Sequence, residues 1–161
     1  MNTLDFAINM EHDGEKYYRE QAEINKNNSL YVVCNMLAGD EKIHAQILED
    51  KQNEMPYELK DSEILTKTKN IFKDASAIKV QEKTNVTQLD FYRIAAGMEK
   101  ESIDLYEQFL DKATTSEEKE LFEFLILQEK YHYEVLEELS LLLNRPVEWV
   151  ESAEFGVREE Y

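Results

Sequence analysis

Two short motifs in this 161-residue chain pair a carboxylate with an imidazole one helical turn apart. Glu41-Lys-Ile-His44 and Glu129-Lys-Tyr-His132 both read Glu-x-x-His. Residues three apart on a helix share a face, so each pair can ligate one metal ion. The neighbours at helical spacing are apolar: Cys34, Leu37 and Leu48 around the first pair, Phe122, Leu125, Leu136 and Leu139 around the second. Such a stripe is the buried seam of a helix in a bundle. A carboxylate and an imidazole on a buried seam need compensation, because an unpaired buried charge is costly.

The two motifs are copies. Glu41 and Glu129 stand 88 positions apart, as do His44 and His132, and the same offset relates Glu11 to Glu99, Tyr18 to Tyr106, Met10 to Met98 and Ala7 to Ala95. The chain therefore reads as two helix pairs, each with one Glu on its first helix and Glu-x-x-His on its second. Glu11, Glu41, Glu99 and Glu129 bring four negative charges, which two divalent metals balance and one does not. Without metal the four carboxylates repel one another. Carboxylate and imidazole donors suit iron or manganese, and zinc also fits; the lack of thiolate donors argues against a structural zinc site. The plainer alternative is a pair of seams whose charged residues are joined by salt bridges. His12, the third histidine, falls beside the stripe and is expected to be solvated.

Four long helices must position these six residues. The first is expected over residues 3–26 with Thr3 as its cap, and its stripe is Ala7, Glu11, Gly14, Tyr18 and Ala22. Asn27-Asn28-Ser29 signals a turn, with Ser29 capping a second helix over 30–52. Residues 53–86 form a crossover, in which Asp61-Ser62-Glu63 looks like a helix start and Ile64, Ile71, Phe72 and Ile78 suggest one or two short amphipathic helices. Thr87 caps a third long helix running to Ala113, with Tyr92, Ala95, Glu99, Ser102, Tyr106 and Phe109 in its stripe. Ser116 caps a fourth running to Asn144, where Pro146 stops it. Residues 147–161 then form a tail whose Trp149 and Phe155 are expected to dock on the bundle or on a partner. The fold expected is all-α, two antiparallel helix pairs joined by a long crossover, in one domain over residues 1–146.

The bulk numbers agree. The chain is 42% hydrophobic and 33% charged with four Gly and two Pro, which favours helices joined by short turns. A net charge of −17 argues against nucleic acid and anionic membranes as partners. The lone Cys34 lies on a seam and reads as a small core residue. No basic segment followed by an apolar run opens the chain and no apolar run approaches a membrane span, so a cytoplasmic location is expected.

Met10-Glu-His-Asp-Gly-Glu-Lys-Tyr-Tyr18, Asp40-Glu-Lys-Ile-His44, Met98-Glu-Lys-Glu-Ser-Ile-Asp-Leu-Tyr106 and Gln128-Glu-Lys-Tyr-His132 together follow the ligand pattern of ferritin-like di-metal bundles. The chain resembles the rubrerythrin-like branch of that superfamily over about residues 3–144. The resemblance implies a ferritin-like four-helix bundle with a non-haem di-iron centre that reduces hydrogen peroxide or O2. It implies that Glu41 and Glu129 bridge two iron ions, that Glu11 and Glu99 are terminal carboxylates, and that His44 and His132 each cap one iron. Tyr18 and Tyr106, two turns beyond Glu11 and Glu99, are expected either to hold carboxylate ligands by their hydroxyls and so assist Glu41 and Glu129 in catalysis, or to be plain core aromatics.

The chain departs from that pattern in two places. A single Cys leaves out the four-cysteine rubredoxin-type site of complete rubrerythrins, so electrons are expected from an external donor protein or from solution. The extra Glu of those proteins, three residues after the ligand on the third long helix, is here Ser102, and its repeat partner is Gly14. Small residues there either leave room for O2 or peroxide or let helices pack closely. A homo-oligomer is expected, with a dimer favoured. The rival readings are an iron-handling ferroxidase, a di-manganese catalase-like protein and a bundle with no turnover.

Overall fold

The computed structural model describes residues 3–73 and 86–159, with side chains described for residues 4–73 and 90–141. The described residues form five helices: α1 (Thr3–Ile24), α2 (Leu30–Gln52), α3 (Ile64–Lys73), α4 (Val86–Lys112) and α5 (Ser116–Glu159). α1 packs along α2 and α4 along α5, so the chain is two helical hairpins laid together, with α3 across them against α5 and α2. The all-α, ferritin-like four-helix arrangement read from the sequence is what forms. Among the described residues no helix is long and apolar enough to cross a membrane.

Two apolar clusters form the core, and the polar residues lie between them. Ala7, Leu48, Tyr106 and Leu125 belong to one cluster, and Tyr18, Leu37, Ala95 and Leu136 to the other. On each long helix the candidate metal ligands fall between a residue of the first cluster and a residue of the second. Each fully buried leucine contributes roughly 1.5–3 kcal/mol, so apolar packing on both sides can hold four helices around a charged middle. Ile64 is buried in the second of these clusters, with Ile71 and Phe72 packed against it, which fixes α3. Cys34 is buried there too, and burial pushes its thiol up to about 12.

Helix ends differ from expectation in ways local chemistry explains. α1 stops at Ile24, two residues early, where the Asn25 side-chain amide donates to the Gln21 carbonyl at 2.8 Å. Ser29 makes no side-chain cap; Asn28 Oδ1 accepts from Leu30 N at 2.8 Å instead. The cap of α5 is Thr115, not Ser116. Thr115 Oγ1 accepts from Glu118 N at 3.1 Å, and Glu118 Oε1 accepts in return from Thr115 N at 3.3 Å, a reciprocal capping box. The backbone of α5 does not stop at Asn144 but runs through Pro146 to Glu159. Proline removes one intrahelical hydrogen bond, and the helix continues past that loss. The side chains of Thr87, Trp149 and Phe155, and Ile78 altogether, lie outside the described residues.

Candidate metal centre

All six residues singled out by the repeat meet at one place. Glu11 comes from α1, Glu41 and His44 from α2, Glu99 from α4, and Glu129 and His132 from α5; none is more than 3% exposed. They form two overlapping groups, Glu11, Glu41, His44 and Glu129, and Glu41, Glu99, Glu129 and His132. Within each group one donor atom per residue lies within 4.8 Å of the others. Glu41 and Glu129 belong to both groups.

The imidazoles face the carboxylates through the same atom. His44 Nδ1 lies 3.4 Å from Glu11, 3.5 Å from Glu41 and 3.7 Å from Glu129. His132 Nδ1 lies 3.2 Å from Glu99 and 3.3 Å from both Glu41 and Glu129. The rings are nearly parallel, 18° apart in plane and 5.7 Å apart at their centres. Among the described residues no lysine or arginine pairs with any of the four carboxylates. The salt-bridge alternative therefore reduces here to contacts between the two imidazoles and the four carboxylates.

The tyrosines hold carboxylates crosswise. Tyr18 on α1 donates to Glu99 Oε2 on α4 at 2.6 Å, and Tyr106 on α4 donates to Glu11 Oε2 on α1. Each hairpin thus orients the other's carboxylate. Both tyrosines are fully buried; burial, then the adjacent carboxylate, raises their hydroxyls well above the usual range.

Electrostatics record the crowding. Burial raises Glu99 to about 7, with Glu129 adding to the rise, and burial together with Glu129 and Glu41 raises Glu11 well above a normal carboxylate. Burial pulls both imidazoles down, but Glu11 and Glu129 around His44, and Glu99 with Asp40 around His132, outweigh it and hold both well above their usual value. Without metal, histidine protons would offset part of the negative charge. Several donor atoms still have no hydrogen-bond partner though buried: Glu11 Oε1, Glu41 Oε1, Glu99 Oε1, both oxygens of Glu129, and His44 Nδ1. Such orphaned groups are expensive unless a ligand satisfies them. Four carboxylates and two imidazoles converging in this way fit two divalent metals of the iron or manganese type.

Gly14 allows a close approach. A Cβ there would stand 2.7 Å from Glu41 Oε2, so a side chain at this position would displace the carboxylate from where it stands. Ser102, its repeat partner, donates to the Met98 carbonyl at 3.1 Å. Both also line a cleft of about 390 Å³ that reaches Glu41 between α1 and α4, with Met10 and Met98 among its walls. Close packing and open space are therefore both present here.

Two residues beside the site carried no role in the sequence reading. Asp40 Oδ2 lies 2.9 Å from His132 Nε2 and accepts from Ser62 Oγ at 2.6 Å. Burial pushes Asp40 up, but its bond to His132 outweighs that and holds it below the usual carboxylate range. Gln128, 1% exposed, accepts from Ser62 N at 2.9 Å and donates to Asp61 at 3.0 Å. The signal was present: each residue directly precedes the Glu of Glu-x-x-His, and the two stand 88 positions apart. His12 is half exposed, with Glu49 at 3.7 Å, away from the centre.

A helical bundle enclosing a carboxylate–imidazole centre is the ferritin-like class of protein. The rubrerythrin family model matches residues 2–140, and the chain belongs to the rubrerythrin family. No curated protein and no solved structure matches the chain.

Proposed function

We propose that the chain holds two iron ions in this centre and works as a non-haem di-iron oxidoreductase, reducing hydrogen peroxide or O2 with electrons from an external donor. The observation that carries the reading is the pair of overlapping ligand groups that share Glu41 and Glu129. Glu41 and Glu129, common to both groups, would serve both ions, Glu11 with His44 would complete one subsite, and Glu99 with His132 would complete the other. Two ferrous ions bound there would supply two electrons in one place, which is what cleavage of a peroxide bond consumes.

The rest of the work belongs to the chain. Tyr18 and Tyr106 fix the terminal carboxylates by hydrogen bonds from the opposite hairpin. The apolar clusters close the centre off along the bundle axis on both sides. The cleft beside Gly14 and Ser102 gives a small oxidant a way to Glu41. The single cysteine in these 161 residues cannot form a four-cysteine electron-transfer site, and the proposed electron source is an external donor. A cytoplasmic setting and a dimer complete the reading.

One observation favours the second reading, oxidation of ferrous iron by O2. A second cleft, of about 510 Å³, reaches His44, and among its walls Asp40, Glu58, Asp61 and Glu63 outnumber Lys60 and Lys67, a net acidic lining that suits passage of a cation. Stopped-flow absorbance of the ferrous protein mixed with peroxide and, separately, with O2 decides between them. Faster oxidation by peroxide supports the peroxidase reading, faster oxidation by O2 supports the ferroxidase, and no oxidation by either contradicts both. Metal analysis of protein from its own source separates iron from manganese.

A further inference from the structure

The 88-residue repeat makes the two halves of the centre alike in their ligands but not in what stands behind them. His132 Nε2 lies 2.9 Å from the Asp40 carboxylate. An ionised carboxylate only accepts, so it places the hydrogen on Nε2 and leaves Nδ1 turned toward Glu41, Glu99 and Glu129. In the other half the position of Asp40 is taken by Gln128, a neutral amide. Both ends of that amide are committed to the crossover, to Ser62 N at 2.9 Å and to Asp61 at 3.0 Å. No repeat-related carboxylate is thus available to His44. The two imidazoles also differ in access: His44 lines the cleft of about 510 Å³ beneath the crossover, whereas His132 is fully buried and does not line it.

We infer that the two metal subsites are unequal, and that Asp40 makes the His132 subsite the one that fills first and empties last. The inference rests on the two-metal reading above. A carboxylate behind a ligating imidazole orients the ring and strengthens its donor atom, and losing such a partner typically costs about 10–100-fold in metal affinity. Asp40 acts here as a positioning residue, through His132. The subsite of Glu11 and His44, without that partner and beside the cleft, is the exchangeable one.

Stepwise addition of cobalt(II) to the metal-free full chain, followed by visible absorbance and by calorimetry, tests this. Two binding steps at least tenfold apart are expected. Asp40→Asn, which keeps the shape but removes the charge, should weaken the first step about 10–100-fold and leave the second within a few-fold. His132→Ala should abolish the tight step and His44→Ala the weak one, a comparison that leaves Asp40 untouched. Two ions bound with equal affinity, an Asp40→Asn variant that changes both steps alike or neither, or loss of the tight step in His44→Ala would overturn the inference while leaving the two-metal centre standing. Uptake of no more than one ion by the wild-type chain would overturn the two-metal reading, and this inference with it.

Discussion

Gly14→Ala should separate folding from metal binding. Alanine is favoured over glycine in a helix interior by about 1 kcal/mol, so the backbone of α1 gains from the change. The new Cβ, however, would stand 2.7 Å from Glu41 Oε2, where ordinary contact begins at 3.4 Å. The carboxylate must withdraw by about the difference, 0.7 Å, which exceeds the roughly 0.5 Å within which a binding constellation needs to be held. Glu41 belongs to both ligand groups, so both ions feel the shift. In the metal-free chain the carboxylate is the end of a flexible side chain and can turn aside cheaply. The expected result is a metal-free variant between unchanged and about 1 kcal/mol more stable, up to about 2–4 °C in melting temperature, that binds both metals at least about tenfold more weakly, a loss of about 1.4 kcal/mol. Thermal melts of the metal-free chain and titration with iron(II) under anaerobic conditions measure the two quantities. A less stable metal-free variant would show that helix packing, not Glu41, excludes the side chain. Unchanged affinity would show that Glu41 does not ligate from this position.

The crossed hydrogen bonds predict crossed phenotypes. Tyr18→Phe should weaken the subsite of Glu99 and His132, and Tyr106→Phe that of Glu11 and His44, each by about 10–100-fold; equal effects on both subsites, read by metal titration, would refute the crossing. In the metal-free chain, stability should fall as pH rises from 5 to 8. Glu99 (about 7 folded, against 4.5 unfolded) and Glu11 retain protons that the unfolded chain has lost, and His44 and His132 hold theirs above the unfolded value of 6.5. All four contributions are therefore fully present at low pH and lost as pH climbs through the folded values, while the lowered Asp40 acts the other way only near and below 3.8. Urea titrations at several pH values should show this slope, and Glu99→Gln should flatten it; stability that rises across the range would contradict the reading. Metal affinity should change in the opposite sense, increasing with pH because binding displaces those protons, as pH-dependent calorimetry can check.

Spacing and periodicity made most of the fold and all six candidate ligands legible. The Glu-x-x-His pairs needed only the rule that residues three apart share a face, and the equal offset located Glu11 and Glu99 without any knowledge of contacts. The bounds of α2 follow from the turn at Asn27-Asn28-Ser29 and the composition beyond Gln52. What was not legible depends on how the hairpins dock. Tyr18 could be placed on the Glu11 stripe, but its bond to Glu99 requires the distance between α1 and α4. Asp40 and Gln128 sit in equivalent places and both bind the crossover, yet only Asp40 also reaches a histidine of the other hairpin. The approach of α1 to Glu41 at Gly14 is likewise a property of packing. Helix ends failed for a local reason, since Thr115 and Ser116 are both competent caps and only the reciprocal bond with Glu118 chooses between them.

The central claim is that four buried carboxylates and two imidazoles exist to hold two metals at once. A crystal structure of the iron-reconstituted chain, with anomalous data collected at the iron edge, tests it most directly. The account predicts two peaks within about 4 Å of each other, as in other two-metal sites, both in contact with Glu41 and Glu129, one also with Glu11 and His44 and the other with Glu99 and His132. A single peak, no peak after reconstitution, or two ions that share neither Glu41 nor Glu129 would contradict it.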